Sequence, residues 1–338
     1  MRGRPELRER RVAANLTQAQ LAERAGLSRG LVSAVELGRH LPRIDAALAL
    51  AAALGTSVEE LFGAGAAAPL PPVDAITGLA PAPGSPVRVG FVGSRTVTAA
   101  PRSGDEGWDA QDGVAGRGRV QLLAQRGSSL VLAGCEPGLL LLERLLLEKG
   151  TRALAIGASS ASARAALQAG RLHAAALHFP ARARVGPPPD GLRVHLARWR
   201  VGLAAPQGSP RGWWTAALEG RTPVIQREPG AAAQDAFERA ARTRRRPIPG
   251  PRVSGHLPAA RCCAATGLPA VTIEPAAAAA SVAFHALETH TVELWVPEER
   301  ASDPGIVVLL DVLSSAAFRS RLEHVGGYDL ARSGARVA

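Results

Sequence analysis

Residues 15–62 read NLTQAQLAERAGLSRGLVSAVELGRHLPRIDAALALAAALGTSVEELF. Thr17 followed three residues later by Gln20 is the pattern in which a hydroxyl and an amide cap a helix start reciprocally. That helix is expected to run to about Ala25, where Gly26 supplies the left-handed residue a helix exit needs. Ser28 then caps a second helix through Arg29, Val32, Ser33 and Val35 to about Leu37, and Gly38 and Pro42 stop it. Two short helices joined by a turn of about three to four residues containing glycine form a helix-turn-helix arrangement.

The inward positions Leu21, Ala22, Ala25, Leu27, Val32 and Val35 are apolar, and Leu7, Leu48, Leu54, Val58, Leu61 and Phe62 are placed to complete a five-helix core. The succession of TQ, LA, AG, LS, VS, VE, G and P, continuing into ALALAAALGTSVEELF, resembles the phage-repressor-like (Xre) helix-turn-helix family over residues 6–62. The resemblance implies an all-α lambda-repressor-like head over residues 5–62 that binds a double-stranded DNA operator. It implies that Gln18 holds a backbone phosphate and that Ser28 holds another from the mouth of the recognition helix. It places Arg29, Gly30, Ser33 and Ala34 at base edges in the major groove. A bidentate Arg29–guanine pair would contribute about 1–3 kcal/mol of discrimination. Gly30 and Ala34 depart from the family's chemistry, since neither has a side-chain donor, so direct readout per subunit is thin.

Residues 1–62 hold nine arginines against seven acidic residues. Affinity for DNA tracks the phosphates neutralised, so one such head binds weakly. A homodimer on a pseudo-palindromic operator is therefore expected, with Arg39 and Arg43 as further phosphate contacts.

The whole chain has 338 residues, 46% of them hydrophobic and 20% charged, enough for two or three domains with sizeable cores. Its formal charge is +11, but Lys149 is the sole lysine among 40 basic residues. That bias, with so much alanine, reads as GC-rich coding and is not taken as a sign of nucleic acid. The three cysteines, Cys135 and the adjacent Cys262 and Cys263, make neither a disulfide framework nor a spaced zinc site. Reduced thiols in a cytoplasmic protein are expected. MRGRPELRERR has no apolar region of a signal peptide, and LLLLERLLL is cut by Glu143 and Arg144, so no export or membrane span is expected.

Composition changes near residue 63. GAGAAAPLPPVDAITGLAPAPGSP, residues 63–86, reads as an Ala/Gly/Pro-rich linker. From Val87 onward, SLVLAG, RALAIG, LHAAALHF, TPVIQ and PAVTIEP read as strands. PGLLLLERLLLEKG, SASARAALQAG, AAAQDAFERAAR and LPAARCCAATG read as helices between them. Strand–helix alternation at this spacing predicts an α/β domain with a mostly parallel sheet over residues 87–334. Ligands of such sheets sit at the carboxyl ends of strands near helix N-termini, here the turns AGCEPG, GASSAS, REPGAAA and IEPAAA.

The order of these segments, with the ending SSAAFRSRLEHVGGYDLARSG, resembles the molybdate-binding-protein-like domain of the type II periplasmic-binding-protein fold over about residues 128–334. Residues 87–127 precede the clear match and are not placed by it. The resemblance implies two lobes closing on a small-molecule effector, with Cys135, Ser159 and Ser160 lining one and Gly230 and Ala231 the other. The family's donor-rich continuation of the REPG turn is replaced by AAAQ, and Glu136 occupies a helix start where an anion would bind. These departures point away from molybdate, toward a neutral molecule or an anion held by backbone donors.

Other signals are set aside. His173 and His178 are expected to face opposite ways along a strand, one in the core and one at the surface, without sharing a metal. Cys262 and Cys263 read as helix packing, RAARTRRRP as a solvated helix end, and Trp213–Trp214 as a cleft cover or packing. No Walker motif, nucleophile triad, HExxH or paired carboxylates appear, so no enzyme, no cofactor and no metal site is expected. The expected function is a DNA-binding regulator controlled by an effector. The alternative is a regulator whose second domain is a ligand-free dimerisation or partner-docking module.

Overall fold

The computed structural model describes residues 5–37, 39–40, 42–62, 70–104, 107–108, 111–123, 127–183, 191–241 and 248–337. The expected helix stop at Gly38, most of the basic run 239–247 and the first part of the linker lie outside them. The chain divides into two compact units, Met1–Pro69 and Leu70–Ala338.

The first unit is helical: α1 Pro5–Ala13, α2 Gln18–Arg24, α3 Arg29–Glu36, α4 Ile44–Ala53 and α5 Val58–Phe62. Local chemistry sets its turns. Thr17 Oγ1 accepts from Gln20 N at 3.2 Å while Gln20 Oε1 accepts from Thr17 N at 2.9 Å, closing the capping box. Gly26 lies at φ +64° with nothing near its missing side chain, so conformation rather than space calls for glycine there. Ser28 Oγ caps α3 by accepting from Leu31 N at 3.1 Å. The core joins Leu7, Leu21, Val32, Val35, Leu50 and Leu61, all fully buried. Leu48, expected inside, is 57% exposed, because Leu50 and Ala51 carry the inward face of α4.

The second unit begins with short strands: β1 Leu70–Asp74, β2 Pro86–Val92, β3 Arg95–Ala99, β4 Ser103–Gly104, β5 Gly107–Trp108, β6 Gly113–Ala115 and β7 Val120–Leu122. Next come β8 Leu130–Gly134, α6 Leu139–Glu148, β9 Ala153–Gly157, α7 Ser160–Gln168, β10 Ala174–Pro180 and β11 Gly191–Ala205. Then follow α8 Trp213–Leu218, β12 Gln226–Arg227, α9 Ala232–Ala240, β13 Arg252–Val253 and α10 His256–Thr266. The unit closes with β14 Ala270–Ile273, α11 Glu274–Ala279, β15 Ala283–Pro297, α12 Pro304–Ser314 and α13 Ala316–Val325. All five tryptophans of the chain fall in this unit.

Two corrections to the sequence reading follow. Residues 70–86 are not linker: β1 pairs in parallel with β3, and Arg171 donates to the carbonyls of Ala75 and Ile76, both at 3.0 Å. With β2, β3, β6 and β7, β1 builds a five-stranded sheet, β1-β3-β2-β6-β7. The main sheet, β14-β11-β15-β10-β8-β9, is mixed rather than mostly parallel, since only β8, β9 and β10 run together. The strands missed were β11 and β15, each of 15 residues, whose polar interruptions hide them from a search for short apolar runs. TPVIQ contributes only Gln226 to β12, because its amides alternate between the carbonyls of Pro249, Pro269 and Pro251 instead of facing one strand.

The short parallel strands are apolar throughout because both faces are covered. Leu130 and Leu132 join one core with α6, α9 and α12, while Val131 and Ala133 join another with α7 and the small sheet. β11 and β15 pair along nearly their whole length; β15 meets β10 at 290–295, and β11 meets β14 at 201–204. This pair therefore runs from one half of the unit to the other, with register shifts at His195/Ala197 and Val201/Gly202. Gly202 has no room for a side chain, since a Cβ would stand 2.0 Å from the carbonyl of His285.

Candidate functional site

In the helical unit, the exposed N-terminus of α3 carries Ser28, Arg29 and Gly30, with Ser33 and Ala34 half-buried behind them. Arg39 and Arg43 are exposed beyond its far end. Gln18 is half-buried, and its amide donates to Glu36 Oε2 at 2.7 Å. Arg11 completes the junction: its Nε donates to Glu36 Oε1 at 2.6 Å, and one terminal nitrogen donates to the carbonyl of Leu16 at 2.7 Å. Burial works against the Glu36 charge, but Arg11 and then Gln18 outweigh it and hold the carboxyl below its ordinary range. One carboxylate thus ties α1, α2 and α3 together behind the surface on which the residues expected to face DNA stand.

In the second unit, the carboxyl ends of β8 and β10 meet the start of α10 across a closed cleft, with the ring centroids of His178 and His256 5.4 Å apart. Cys135 follows β8, and its Sγ lies 3.2 Å from Ser160 Oγ at the start of α7. Ser160 Oγ accepts from His178 N at 3.1 Å, on β10. Ser159 caps α7, its Oγ accepting from Ser162 N at 3.2 Å and donating to Ser162 Oγ at 2.9 Å. Opposite, Gly230 at φ +78° begins the turn into α9, and a Cβ on it would stand 3.5 Å from that of Ala161. Ala231 caps α9 with no side-chain bond and is buried. Cys135 and Ser160 are thus in contact and Gly230 lies close to the neighbouring Ala161, while the hydroxyls of Ser159 and Ser160 are already engaged within the protein.

The fold adds groups that the sequence did not single out. Cys135, His178 and His256 come together so that one ligand-capable atom from each lies within 4.8 Å of the others. His178 Nδ1 stands 2.8 Å from Nδ1 of His290, whose Nε2 faces Glu288 Oε2 at 3.2 Å. His256 Nδ1 is 2.5 Å from a terminal nitrogen of Arg227, and Nε2 of that ring is buried with no hydrogen-bond partner. Glu136 Oε1 accepts from Gly138 N at 2.6 Å and from the Tyr328 hydroxyl at 2.7 Å, while Oε2 is buried without a partner. The Trp199 ring packs 5.5 Å from His178, 6.1 Å from His256 and 5.9 Å from Tyr328.

The expected split of His173 and His178 into core and surface does not hold, since both are buried. His173 accepts from Val131 N at 3.0 Å and belongs to the core. Burial governs the ionisation of the cleft. It pushes the Cys135 thiol up to about 12 and Glu136 up to about 7, the latter against the opposing bonds from Tyr328 and Gly138. It drives His178 and His256 well below the ordinary imidazole range, helped by Arg227 and by their neighbouring imidazoles. The cleft therefore presents neutral imidazoles, a neutral thiol and one guanidinium, Arg227, that is already paired with Glu228 at 3.0 Å.

A helix-turn-helix family model matches residues 7–61. A model described as a PBP superfamily domain matches residues 143–314, just over half of the chain. The chain belongs to the PBP superfamily.

Ahead of its PBP superfamily domain the protein carries a head that is 42% identical over 57 residues to an uncharacterized HTH-type transcriptional regulator from Methanothermobacter thermautotrophicus, covering 17% of this chain and 83% of that one. The restriction-modification controller protein of Aeromonas hydrophila is 41% identical, covering 17% of this chain and 88% of its own, with a TM-score of 0.17. A phosphate ABC transporter substrate-binding protein with bound phosphate from Clostridium perfringens is 11% identical and covers 59% of this chain and 98% of its own, with a TM-score of 0.47. This PBP superfamily member is a helix-turn-helix transcriptional regulator with a C-terminal substrate-binding-like domain. No helix among the described residues is long and apolar enough to cross a membrane.

Proposed function

We propose that the protein is a dimeric, operator-binding regulator whose affinity for DNA is set by an effector held in the cleft of its PBP superfamily domain. The observation that carries this reading is the buried polar seam between the carboxyl ends of β8 and β10 and the start of α10. Its polar side chains come from both sides, and two of them, His256 Nε2 and Glu136 Oε2, are buried with no partner. Buried polar atoms are almost always satisfied, so an unpaired pair in a cleft at strand carboxyl ends supports a bound ligand. In the head, Arg29 reads a base edge, Gln18 and Ser28 hold phosphates, and Gly30, Ser33 and Ala34 let the backbone approach the groove.

Dimerisation is supported by the exposed face of α4 and α5. Ile44 is 82% exposed and Leu48 57%, at the rim of an apolar groove of about 720 Å³ that also includes Ala51, Val58 and Phe62. The ligand-free docking module is favoured by the internal engagement of Ser159 and Ser160, and it leaves the two unpaired atoms unexplained.

The deciding test needs no known effector. Gly230→Trp would wedge the cleft open against Ala161, and its operator affinity would be compared with that of the natural protein on DNA selected from a random library. A change of about fivefold or more is expected, the lower range of a coupling between sites. Equal affinities for the two folded proteins would refute effector control through this cleft.

A further inference from the structure

We propose that Cys135, His178 and His256 form a binding site for one divalent, thiophilic transition-metal ion of zinc's class, bridging the two sides of the cleft. The inference rests on the reading of this cleft as the effector site and supplies the chemical class of its occupant.

A thiolate with two imidazoles is the donor set that zinc and its neighbours take, and it offers none of the oxygen ligands that magnesium and calcium require. The three donor atoms, already within 4.8 Å of one another, need to draw in by about 1 Å to reach the spacing around a tetrahedral centre with metal–ligand bonds of about 2.0–2.3 Å.

The surroundings of His178 match those of a metal-bound imidazole. Arg239 holds Glu288 with two bonds of 2.8 and 2.7 Å, and Glu288 accepts from Nε2 of His290. Nδ1 of His290 therefore carries the lone pair and accepts the proton on Nδ1 of His178, at 2.8 Å. That leaves the lone pair of His178 on Nε2, free for a metal, with a carboxylate-backed relay orienting the ring from behind.

At His256, Arg227 donates to Nδ1, so the hydrogen of the neutral ring sits on the unpartnered Nε2. Metal entry takes the other tautomer of this neutral ring, with the hydrogen on Nδ1 and the lone pair on Nε2; Arg227 gives up its bond to Nδ1 and keeps its two bonds to Glu228, and the thiol hydrogen of Cys135 leaves. One proton leaves as two positive charges arrive, so the buried site gains one positive charge beside the Arg227–Glu228 pair. Cys135 and His178 sit on the β8–β10 side and His256 at the start of α10, so the ion fastens the cleft shut.

The test uses the full-length, reduced, chelator-treated protein. Titration with Co²⁺ is expected to give one equivalent per chain, with tetrahedral d–d bands and a sulfur-to-cobalt charge-transfer band that Zn²⁺ displaces. Cys135→Ser is expected to abolish the charge-transfer band, and His256→Gln to weaken Zn²⁺ binding by at least about 100-fold. Folding of each variant would be checked by tryptophan fluorescence. Absence of a one-to-one complex in the natural protein, or a charge-transfer band that survives in Cys135→Ser, overturns the site. Operator affinity measured with and without Zn²⁺ separates the two readings. Binding at this site with no change in operator affinity would refute effector control and leave the site standing, whereas failure to bind leaves effector control to the Gly230→Trp comparison.

Discussion

Gln18 and Glu36, at the start of α2 and the end of α3, are joined by a 2.7 Å hydrogen bond from amide to carboxylate, and the same carboxylate holds Arg11. The residue expected to grip a phosphate is therefore positioned by the helix expected to read the bases. Replacing Glu36 by Gln leaves the Arg11 charge largely buried and unpaired, which is expected to cost about 2–3 kcal/mol. The helical unit should melt earlier, as followed by circular dichroism, while tryptophan fluorescence reports no change in the second unit.

Arg29 stands exposed at the first position of α3, with Gly30 leaving space beside it. Arg29→Ala is expected to relax the preference at one base position per half-site by about 1–3 kcal/mol. Arg39→Ala or Arg43→Ala should instead weaken binding to all sequences alike and lower the salt slope by about one. Selection from a random operator library followed by salt titration checks both patterns. A uniform loss for Arg29→Ala would remove it from base readout.

The exposed pair Ile44 and Leu48 is expected to be covered in a dimer. Leu48→Asp should shift the full-length protein to a monomer in analytical ultracentrifugation at micromolar concentration, with at least tenfold weaker binding to a two-half-site operator. Dimers unaffected by the substitution would move the interface elsewhere.

His173 supplies the pH dependence. Burial, followed by the charge of Arg300, pushes its pKa down to about 4, whereas in the unfolded chain it lies near 6.5. Between these values the unfolded chain binds more protons, so stability from this residue is full above about pH 6.5 and is lost as pH falls toward 4. The difference amounts to about 3 kcal/mol. His173→Asn, which keeps an acceptor for Val131 N without a titrating ring, should flatten the fluorescence melting curve across that window. An unchanged slope would show that the imidazole titrates freely in the folded protein.

The helical unit was legible down to individual caps because its information is local. Thr17 with Gln20, Gly26, and Ser28 each act within four residues, and each does what its type predicts. The cleft was legible only where turns announce it, at Cys135, Ser159 and Gly230. His256, His290, Arg227 and Tyr328 gave no signal, since each gains its meaning from partners on other elements, such as Tyr328 from Glu136, 192 residues away. The linker was drawn too long because prolines and glycines mark turns within a small sheet as readily as they mark a tether. β11 and β15 escaped because arginine, histidine and glutamate alternate through them, paired across strands as Arg193 is with Glu293 at 2.7 and 2.9 Å.

The long β11–β15 pair also fixes an order of assembly. The head folds from neighbouring segments, the kind of contact that forms fast, whereas β15 must find β10 and β11 across about 80 to 120 residues. During synthesis β15, with His290, and then Tyr328 emerge after every other group of the cleft. A nascent or prematurely ended chain thus holds the complete helix-turn-helix head before the second unit can close. Under the proposed control of operator affinity by an effector, that control is the last property the protein acquires, and the first that a frameshift in the final third of the sequence would remove.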